Sequence, residues 1–241
     1  LWKNNEKNGE GTYTDKHGHR YTGNWLNGKR DGKGTYTFAG EKKDLGNDNK
    51  SLYFTGNRYV GEWKNDKFEG KGAFKYANGD SYEGQWKADL RDGFGILTTT
   101  SGEHYEGEWK KNLKDGIGEF DFYSGDSYKG NWEKDLMHGK GVMNYKNGDS
   151  YTGDWFSGLK QGIGKYIYSN GDVYDGMWFN NQKKGNGVFT YENGDFYDGE
   201  WLDDTKSGKG SFSDIKGNYF VGFWKENLKS GNGKLTYSDG K

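Results

Sequence analysis

The sequence has no cysteine, and it has few of the aliphatic residues from which a protein core is usually built. Without cysteine, a disulfide framework and a thiolate metal site are both excluded. Leucine, isoleucine and valine together account for 22 of the 241 residues. No apolar run approaches the roughly 18 residues that a membrane-spanning helix needs. The formal net charge of -1 argues against a protein that binds nucleic acid or other polyanions.

Aromatic residues are abundant instead. The chain contains 10 Trp, 19 Tyr and 14 Phe, and its mean hydropathy is -1.22. Such a chain cannot form an ordinary aliphatic core, yet its aromatic content is too high for a disordered protein. We therefore expect burial to be local, with each ring packed against the next segment of the chain.

The tryptophans mark a repeat. Consecutive tryptophans are 23 residues apart, except Trp25 and Trp63, which are 38 apart. Glycines occupy four columns: two before Trp, seven and nine after it, and seven before the next Trp. These columns take 39 of the 43 glycines. A period of this length indicates a repeat array and overrides an estimate of domain number from length. We predict one array over residues 1–241, with its register set by Trp2, Trp25, Trp63, Trp86, Trp109, Trp132, Trp155, Trp178, Trp201 and Trp224.

The longer interval between Trp25 and Trp63 is one period plus 15 residues. We assign the addition to residues 39–54, whose polar sequence predicts a surface loop. Since the registers on both sides are undisturbed, the loop should leave and re-enter at a hairpin end. The chain starts and stops inside a repeat and lacks an initiator Met, so we interpret it as part of a longer protein, in which an enzyme domain could lie elsewhere.

Each repeat is predicted to be a β-hairpin. In the stretch Tyr82, Gly84 and Trp86, residues two apart lie on one face of a strand, whereas the intervening Glu83 and Gln85 are polar. The Gly-x-Gly segment continues at the same period into aromatic pairs: Phe74 and Tyr76, Phe120 and Phe122, Tyr166 and Tyr168, Phe189 and Tyr191. The pattern therefore predicts an aromatic face and a wetter face.

The presence of glycine within the predicted strands requires an explanation, because glycine inside a strand lowers its stability. We predict that an aromatic ring of a neighbouring strand lies flat over each of the three glycine columns within strands. The return connection often contains Asn-Gly, as at Asn78-Gly79, and this dipeptide predicts a two-residue hairpin turn with positive φ.

The full pattern resembles the MORN (membrane occupation and recognition nexus) repeat. Its elements are Tyr-x-Gly-x-Trp at residues 151–155, Gly-x-Gly at 162–164 and Asn-Gly-Asp at 170–172. The likeness covers nearly the whole chain in ten copies. It implies an all-β fold, an elongated single-layer antiparallel meander of about ten tandem MORN β-hairpins. It also implies a scaffold or docking role, since the family includes cytoskeletal and ciliary proteins, junctional membrane proteins and regulatory regions of lipid kinases or methyltransferases.

No catalytic motif emerges from the sequence. His17 and His19 could supply two metal ligands, but a solvated turn is favoured because neither Cys nor a carboxylate pair is nearby. The Gly-x-Gly pairs lack the strand-to-helix context of a phosphate-binding loop. We expect a non-enzyme without cofactor or metal.

We predict a protein–protein interaction scaffold in the cytoplasm, within a cytoskeletal or ciliary (axonemal) assembly. The alternative is a peripheral membrane module that binds acidic phospholipids or regulates an attached lipid enzyme. On the aromatic face, partly exposed ring edges would form a partner-binding groove from Tyr82, Trp86, Tyr105, Trp109, Tyr128, Trp132, Tyr151 and Trp155. The other possibility for these rings is that stacking on the next repeat consumes every one of them.

Two further surfaces are candidate contacts. Residues five after Trp form a basic edge that would face an acidic partner or anionic lipid: Arg30, Arg91, Lys114, Lys160, Lys183, Lys206 and Lys229. An acidic column lies six before Trp, and turn chemistry and solubility also explain both columns. In the last repeat, Val221 and Phe223 replace charged residues on the wetter face, next to a terminal strand edge. This apolar patch predicts a homodimer contact or a contact with another assembly component.

Overall fold

The computed structural model describes residues 2–3, 5–40, 42–43, 53–54 and 56–239. These ranges contain 23 β-strands and no helix, so no helix in them is long and apolar enough to cross a membrane. The chain divides into two compact units, Leu1–Tyr123 and Ser124–Lys241. The predicted all-β fold of tandem antiparallel hairpins is confirmed, while one array over the whole chain stays a prediction.

The first unit contains β1 (Trp2–Lys3), β2 (Glu6–Lys7), β3 (Gly9–Thr14), β4 (Arg20–Leu26), β5 (Lys29–Thr37), β6 (Lys42–Lys43), β7 (Tyr53–Phe54), β8 (Arg58–Lys64), β9 (Lys67–Lys75), β10 (Ser81–Lys87), β11 (Leu90–Thr98), β12 (His104–Lys110) and β13 (Leu113–Asp121). Strands β3, β4, β5 and β8 to β13 form an antiparallel meander in which each strand pairs with the next. The short strands form two separate ladders, β1 with β2 and β6 with β7.

The second unit contains β14 (Ser127–Glu133), β15 (Leu136–Asn144), β16 (Ser150–Phe156), β17 (Leu159–Ile167), β18 (Val173–Phe179), β19 (Gln182–Thr190), β20 (Phe196–Leu202), β21 (Thr205–Ser213), β22 (Tyr219–Lys225) and β23 (Leu228–Thr236). These ten strands form a second antiparallel meander in chain order.

The insertion leaves the first meander at a hairpin end. Strand β5 pairs directly with β8, and the Phe38 N–H donates to the Asn57 carbonyl at 2.9 Å. The expected loop over residues 39–54 is not entirely irregular, because β6 pairs with β7 within it. Residues 41 and 44–52 of this segment lie outside the described residues, so the loop prediction is not tested there.

The core lies on the aromatic face. In β10, Tyr82 and Trp86 are 0% and 6% exposed. The Trp86 ring meets Tyr82 edge-on at 5.0 Å and Tyr59 of the preceding repeat at 5.6 Å. Its Nε1–H donates to the Gly72 carbonyl at 3.0 Å. Because each tryptophan reaches back to the hairpin before it, the core is a series of neighbour contacts, as expected for a repeat protein.

Two of the three glycine columns lie under a tyrosine ring, but the ring comes from a neighbouring strand, as predicted, only for the second glycine of Gly-x-Gly; for the glycine of Tyr-x-Gly-x-Trp it comes from the same strand. Gly84 and Gly95 are cross-strand partners, and a Cβ added to either one would overlap the Tyr82 side chain. The Tyr82 hydroxyl donates to the Gln85 carbonyl at 3.0 Å, and this bond holds the ring over the glycine pair. Only bare Cα atoms leave room for a ring in this position.

The prediction is wrong for the third column, the first glycine of Gly-x-Gly. Gly93 has a φ of 103° and lies in a bulge, where three residues of β11 face Gln85 alone. The Gln85 Oε1 accepts a hydrogen bond from the Phe94 N–H at 2.9 Å, and a Cβ on Gly93 would overlap this side chain rather than a ring. Glycine is needed here for its positive φ.

The predicted two-residue Asn-Gly turn is also wrong. The two-residue turns lie at the other hairpin end, where Ala88 and Asp89 have φ values of 49° and 70°. Two positive φ angles define a type I′ turn, which suits the twist of a hairpin. In the return connection, the Gly79 N–H donates to the Tyr76 carbonyl at 3.0 Å, and the Tyr76 N–H donates to the Asp80 carbonyl at 2.9 Å. This is a three-residue loop, in which Gly79 takes the left-handed conformation with a φ of 98°.

The ring-over-glycine contact makes a testable prediction. Gly95→Ala should lower the free energy of unfolding by roughly 3 kcal/mol, because its methyl group overlaps the Tyr82 ring. Gly102→Ala is the control: its φ is 96°, but an added Cβ meets nothing within 4 Å. Backbone strain alone should then cost about 1 kcal/mol. Thermal unfolding followed by circular dichroism compares the two variants, and equal losses would contradict the steric explanation.

Candidate functional site

The predicted groove residues belong to the core. The four tyrosines are 0% exposed and the four tryptophans 4–6% exposed in the set Tyr82, Trp86, Tyr105, Trp109, Tyr128, Trp132, Tyr151 and Trp155. Each tyrosine is enclosed by rings. Tyr82, for example, has Trp86 at 5.0 Å and Trp109 at 5.5 Å, both edge-on. The expectation of partly exposed ring edges is therefore wrong, because stacking on the next repeat covers them.

The predicted basic edge is not an edge. The Lys206 side chain is buried, its Nζ donates to the Tyr191 hydroxyl at 2.7 Å, and it lies 5.2 Å from the Trp224 ring centroid. The guanidinium carbon of Arg91 lies 4.1 Å from the Trp109 ring centroid. The other members also lie over rings of the aromatic face, namely Arg30 over Trp63, Lys114 over Phe120, Lys160 over Trp178, Lys183 over Trp201 and Lys229 over Phe220. We call these seven residues the lid cations.

The lid cations are placed by the attraction of a positive charge to an aromatic face. Burial beside the rings shifts the pKa values of some of these groups. Burial lowers the pKa of the Lys160 ammonium, and burial raises the pKa of Tyr82 to about 12 although the Arg91 charge opposes that shift. Six of the lid cations are thus covered at least in part and act as internal partners of the rings, whereas Lys229 lies over the Phe220 ring and is also exposed to solvent.

The acidic column serves the return turns. The Asp80 Oδ1 accepts a hydrogen bond from the Thr100 N–H at 2.8 Å, and the Asp149 Oδ1 accepts one from the Ser169 N–H at 2.8 Å. The same bond, twenty residues along the chain, joins Asp126 to Lys146, Asp172 to Glu192 and Asp195 to Ile215. These contacts favour the turn-chemistry explanation of this column.

The open surface lies on the opposite, wetter side of each meander, which we call the second face. Along it, the backbone of the glycine pairs forms the floor of a trough, and the side chains just before and after each glycine form its walls. In the first unit, one cavity of 830 Å³ has Gly23 and Gly34 in its floor and Lys33 in its wall, and another of 440 Å³ is lined by Gly84 and Phe94. In the second unit, a cavity of 430 Å³ is lined by Gly141, Val142, Gly153, Ile163 and Gly164.

Comparison with known families identifies the repeat. The family model of the MORN repeat matches residues 1–20, 21–40, 59–81, 82–104, 105–127, 128–150, 151–173, 174–196, 197–219 and 220–241. The chain belongs to the MORN-repeat family. MORN repeats are an interaction module rather than a catalytic domain, which agrees with the absence of a catalytic motif from the sequence.

The other two comparisons add little. Among the curated proteins, none matches this chain. Among solved structures, the TCP10 domain of Danio rerio CPAP in complex with a STIL peptide is 10% identical, with a TM-score of 0.43 and 96% of each chain covered. The SAS-4 TCP domain of Drosophila melanogaster is 12% identical, with a TM-score of 0.35, and 70% of this chain and 84% of that one are covered. Likeness at this level carries no argument about binding.

The second face of the MORN repeats exposes large apolar side chains. In the second unit, Ile163 and Met177 are cross-strand partners and are 63% and 46% exposed. At the two-residue turns of the same unit, Phe156 and Phe179 are 56% and 46% exposed. Sequence reasoning sought binding on the aromatic face and missed these residues. The sequence could have indicated them, because these apolar residues occupy repeat positions that hold charged residues in other repeats.

The C-terminal patch is exposed as expected, with Val221 at 47% and Phe223 at 45%. Both residues lie on β22, which pairs with β21 and β23, so the patch is one strand inside β23. Near the N-terminus, the His19 Nδ1 accepts a hydrogen bond from the Ala39 N–H at 2.8 Å, which occupies one possible ligand atom. Among the described residues, no group of three or more His, Asp or Glu could hold a metal ion.

The lid cations lead to a second prediction. Lys206→Met keeps the packed stem but removes the ammonium from the rings and from the Tyr191 hydroxyl. Since a desolvated cation–π contact and a hydrogen bond are lost, stability should fall by about 1–2 kcal/mol. Lys165→Met, at an exposed site on the second face, should change it by less than about 0.5 kcal/mol. Urea denaturation measures both, and a Lys206→Met protein as stable as the wild type would refute the role of the lid.

Proposed function

We propose that this chain is a non-enzymatic protein–protein interaction scaffold whose partners bind the second face. The observation that carries the proposal is the contrast between the faces. On the aromatic face Tyr82 and Trp86 are closed by their own neighbours, whereas Ile163 and Met177 on the second face are open to water side by side. Adjacent exposed apolar side chains in a trough are characteristic of an interaction site.

The shape of the trough indicates the kind of partner. Its floor is backbone, and apolar residues such as Val142 and Ile163 stand in its walls. A helix or an extended segment could lie across the strands and place apolar anchors between these walls. Within each unit the trough follows the glycine row, which recurs from repeat to repeat, so successive repeats of that unit can contribute to one contact.

For the cellular setting we propose a cytoskeletal or ciliary assembly in the cytoplasm. The support for this setting is the family resemblance, since MORN-repeat proteins include cytoskeletal and ciliary components. The lid cations give no separate support for an acidic cytoskeletal partner, because they are engaged by rings such as Trp109 and Trp224.

A peripheral membrane module is the second candidate, and one observation favours it. The two-residue turns of the second unit expose Phe156, Phe179 and Leu202 at 56%, 46% and 47%, and the Lys184 Nζ lies 5.1 Å from the Phe179 ring centroid. Aromatic and leucine side chains beside lysine suit the interface between lipid headgroups and acyl chains.

The scaffold proposal is tested with the double variant Ile163→Asp/Met177→Asp. Tagged wild type and variant are expressed in cells, and copurified proteins are quantified by mass spectrometry. We expect the variant to lose the wild-type partners, because two carboxylates replace apolar anchors. Ile215→Asp is the matched control, since Ile215 is 67% exposed in a return turn. Unchanged partners in the double variant, or an equal loss in the control, would contradict the proposal.

The membrane candidate is separated by vesicle sedimentation with phosphatidylcholine vesicles, with and without phosphoinositide. Phosphoinositide-dependent sedimentation that is lost in Phe156→Ser/Phe179→Ser would favour the membrane module. Sedimentation that does not change between the wild type and this variant, or that never exceeds the protein-only control, would remove it.

We also propose that Val221 and Phe223 form an association contact, either with a second copy of the chain or with another assembly component. Both are about half exposed on adjacent second-face positions of β22. Apolar burial contributes about 25 cal/mol per Å², so covering the pair could contribute a few kcal/mol.

Analytical ultracentrifugation of the wild type and Val221→Glu/Phe223→Glu tests this contact. We expect the wild type to self-associate, or to bind a component recovered from cells, and the variant to lose that association. The same oligomeric state and the same partners in both proteins would remove the proposal.

A further inference from the structure

The second face of the first unit changes sign from one part of the meander to the next. On β4, β5, β8 and β9 it carries eight exposed basic side chains, which we call the basic half: Arg20, Lys29, Lys33, Arg58, Lys64, Lys67, Lys71 and Lys75. On β10, β12 and β13 it carries five exposed carboxylates, which we call the acidic half: Glu83, Glu106, Glu108, Glu119 and Asp121. Glu62 and its cross-strand partner Glu69 are exceptions in the basic half, and Lys87 and Lys110 lie at the turn end of the acidic half.

Like charges face each other directly within the basic half. Arg58 and Lys75 are cross-strand partners there, and so are Lys64 and Lys67. Directly opposed like charges destabilise an antiparallel pair, whereas opposite charges would stabilise it. Stability of the sheet therefore does not explain these pairs in the basic half, whereas recognition of an acidic partner would.

Both halves offer more than charge. In the basic half, Lys33 and Lys71 stand in the walls of the 830 Å³ cavity beside Thr22 and Thr35, and Glu10 and Glu62 also line it. These side chains provide ammonium groups and hydroxyls around a floor of backbone. A segment that carries carboxylates would find both charge and hydrogen-bond donors there.

In the acidic half, apolar side chains stand among the carboxylates. Phe94 is 50% exposed and is the cross-strand partner of Glu108, and Ile117 is 63% exposed. Ile96 lies between Glu83 and Glu106 as the cross-strand partner of both. This surface suits apolar anchors flanked by lysine or arginine.

We propose that the second face of the first unit binds one protein segment whose charge is divided between its two ends. The acidic end lies on the basic half, and the end that carries lysine or arginine with apolar anchors lies on the acidic half. The inference rests on the proposed function, because it assigns a partner chemistry to the same face. Complementary charge of this kind fixes the direction in which the segment binds and excludes segments of one sign.

The dimensions fit a short segment. Four strand spacings of about 4.8 Å separate β8 from β12, which gives roughly 19 Å between the centres of the two halves. A helix of about 13 residues spans this distance. The contact should weaken as salt is added, because both halves are exposed and screening acts on exposed charges.

Selection from a random 16-residue peptide phage library on the immobilised full chain tests the proposal. We expect the enriched peptides to carry acidic residues in one half and basic plus apolar residues in the other. Synthetic copies are then measured by fluorescence anisotropy at two salt concentrations. Glu83→Lys/Glu106→Lys should weaken binding at least tenfold, and Lys71→Glu/Lys75→Glu should do the same.

The matched control is Asp175→Lys/Asp198→Lys in the second unit. Asp175 and Asp198 are exposed and occupy the same slot, three before Trp, as Glu83 and Glu106. Binding to the control variant should equal binding to the wild type. An equal loss in this control would overturn the proposal, as would enriched peptides without divided charge.

The experiment also separates this inference from the proposed function. Enriched peptides that need Ile163 and Met177, or that bind the second face without divided charge, would leave the scaffold proposal standing and overturn the inference. Failure to enrich any peptide sensitive to second-face substitutions would count against both.

Discussion

The structure depends on a tyrosine ring that covers two bare glycines. The ring of Tyr151 lies over Gly153 on its own strand and Gly164 on the next, and its hydroxyl donates to the Asp154 carbonyl at 2.9 Å. This contact fixes one hairpin, and Trp178 then closes over the other side of the tyrosine at 5.4 Å. A chain with 22 leucine, isoleucine and valine residues can fold in this way because rings such as Tyr151 and Trp178 are buried by their neighbours and no central aliphatic core is required.

The same contact explains where the charged residues lie. A row of rings presents a continuous negative face, and the lid cations cover it, as Arg30 does with its guanidinium carbon 4.3 Å from the Trp63 ring centroid. Hydrogen bonds between neighbouring repeats also join the hairpin ends. At the two-residue turns, the Arg30 backbone N–H donates to the Asp66 Oδ1 at 2.9 Å. At the return turns, the Asp80 Oδ1 accepts a hydrogen bond from the Thr100 N–H of the next repeat. Neighbour contacts on the face and at both ends therefore stabilise each meander.

The sequence predicted the features that a period of two dictates, and it failed where local backbone geometry interrupts that period. Tyr82, Gly84 and Trp86 share a face as the alternation requires. Gly93 was misassigned because a bulge leaves no mark on the spacing of a strand. The type I′ turn at Ala88-Asp89 was not predicted because it lacks an Asn-Gly dipeptide; the pairing of the flanking strands stabilises it instead. The lid cations were placed at an edge because residue type indicates charge but does not show which aromatic ring a long side chain reaches.

The repeats themselves show where specificity can reside. The position four residues before Trp occurs in nine repeats, from Tyr21 to Phe220, and holds Tyr in eight of them. The side chain at this position must be a flat ring, because it packs onto the backbone of the glycine pair. The slot one residue further, on the second face, holds Thr22, Val60, Glu83, Glu106, Lys129, Thr152, Asp175, Asp198 and Val221. Core packing restricts the residue type at the first position, whereas the second position faces solvent and accepts many residue types. A repeat protein with a uniform aromatic face can therefore carry a different surface in each repeat, because substitutions on the second face leave the ring-over-glycine packing intact.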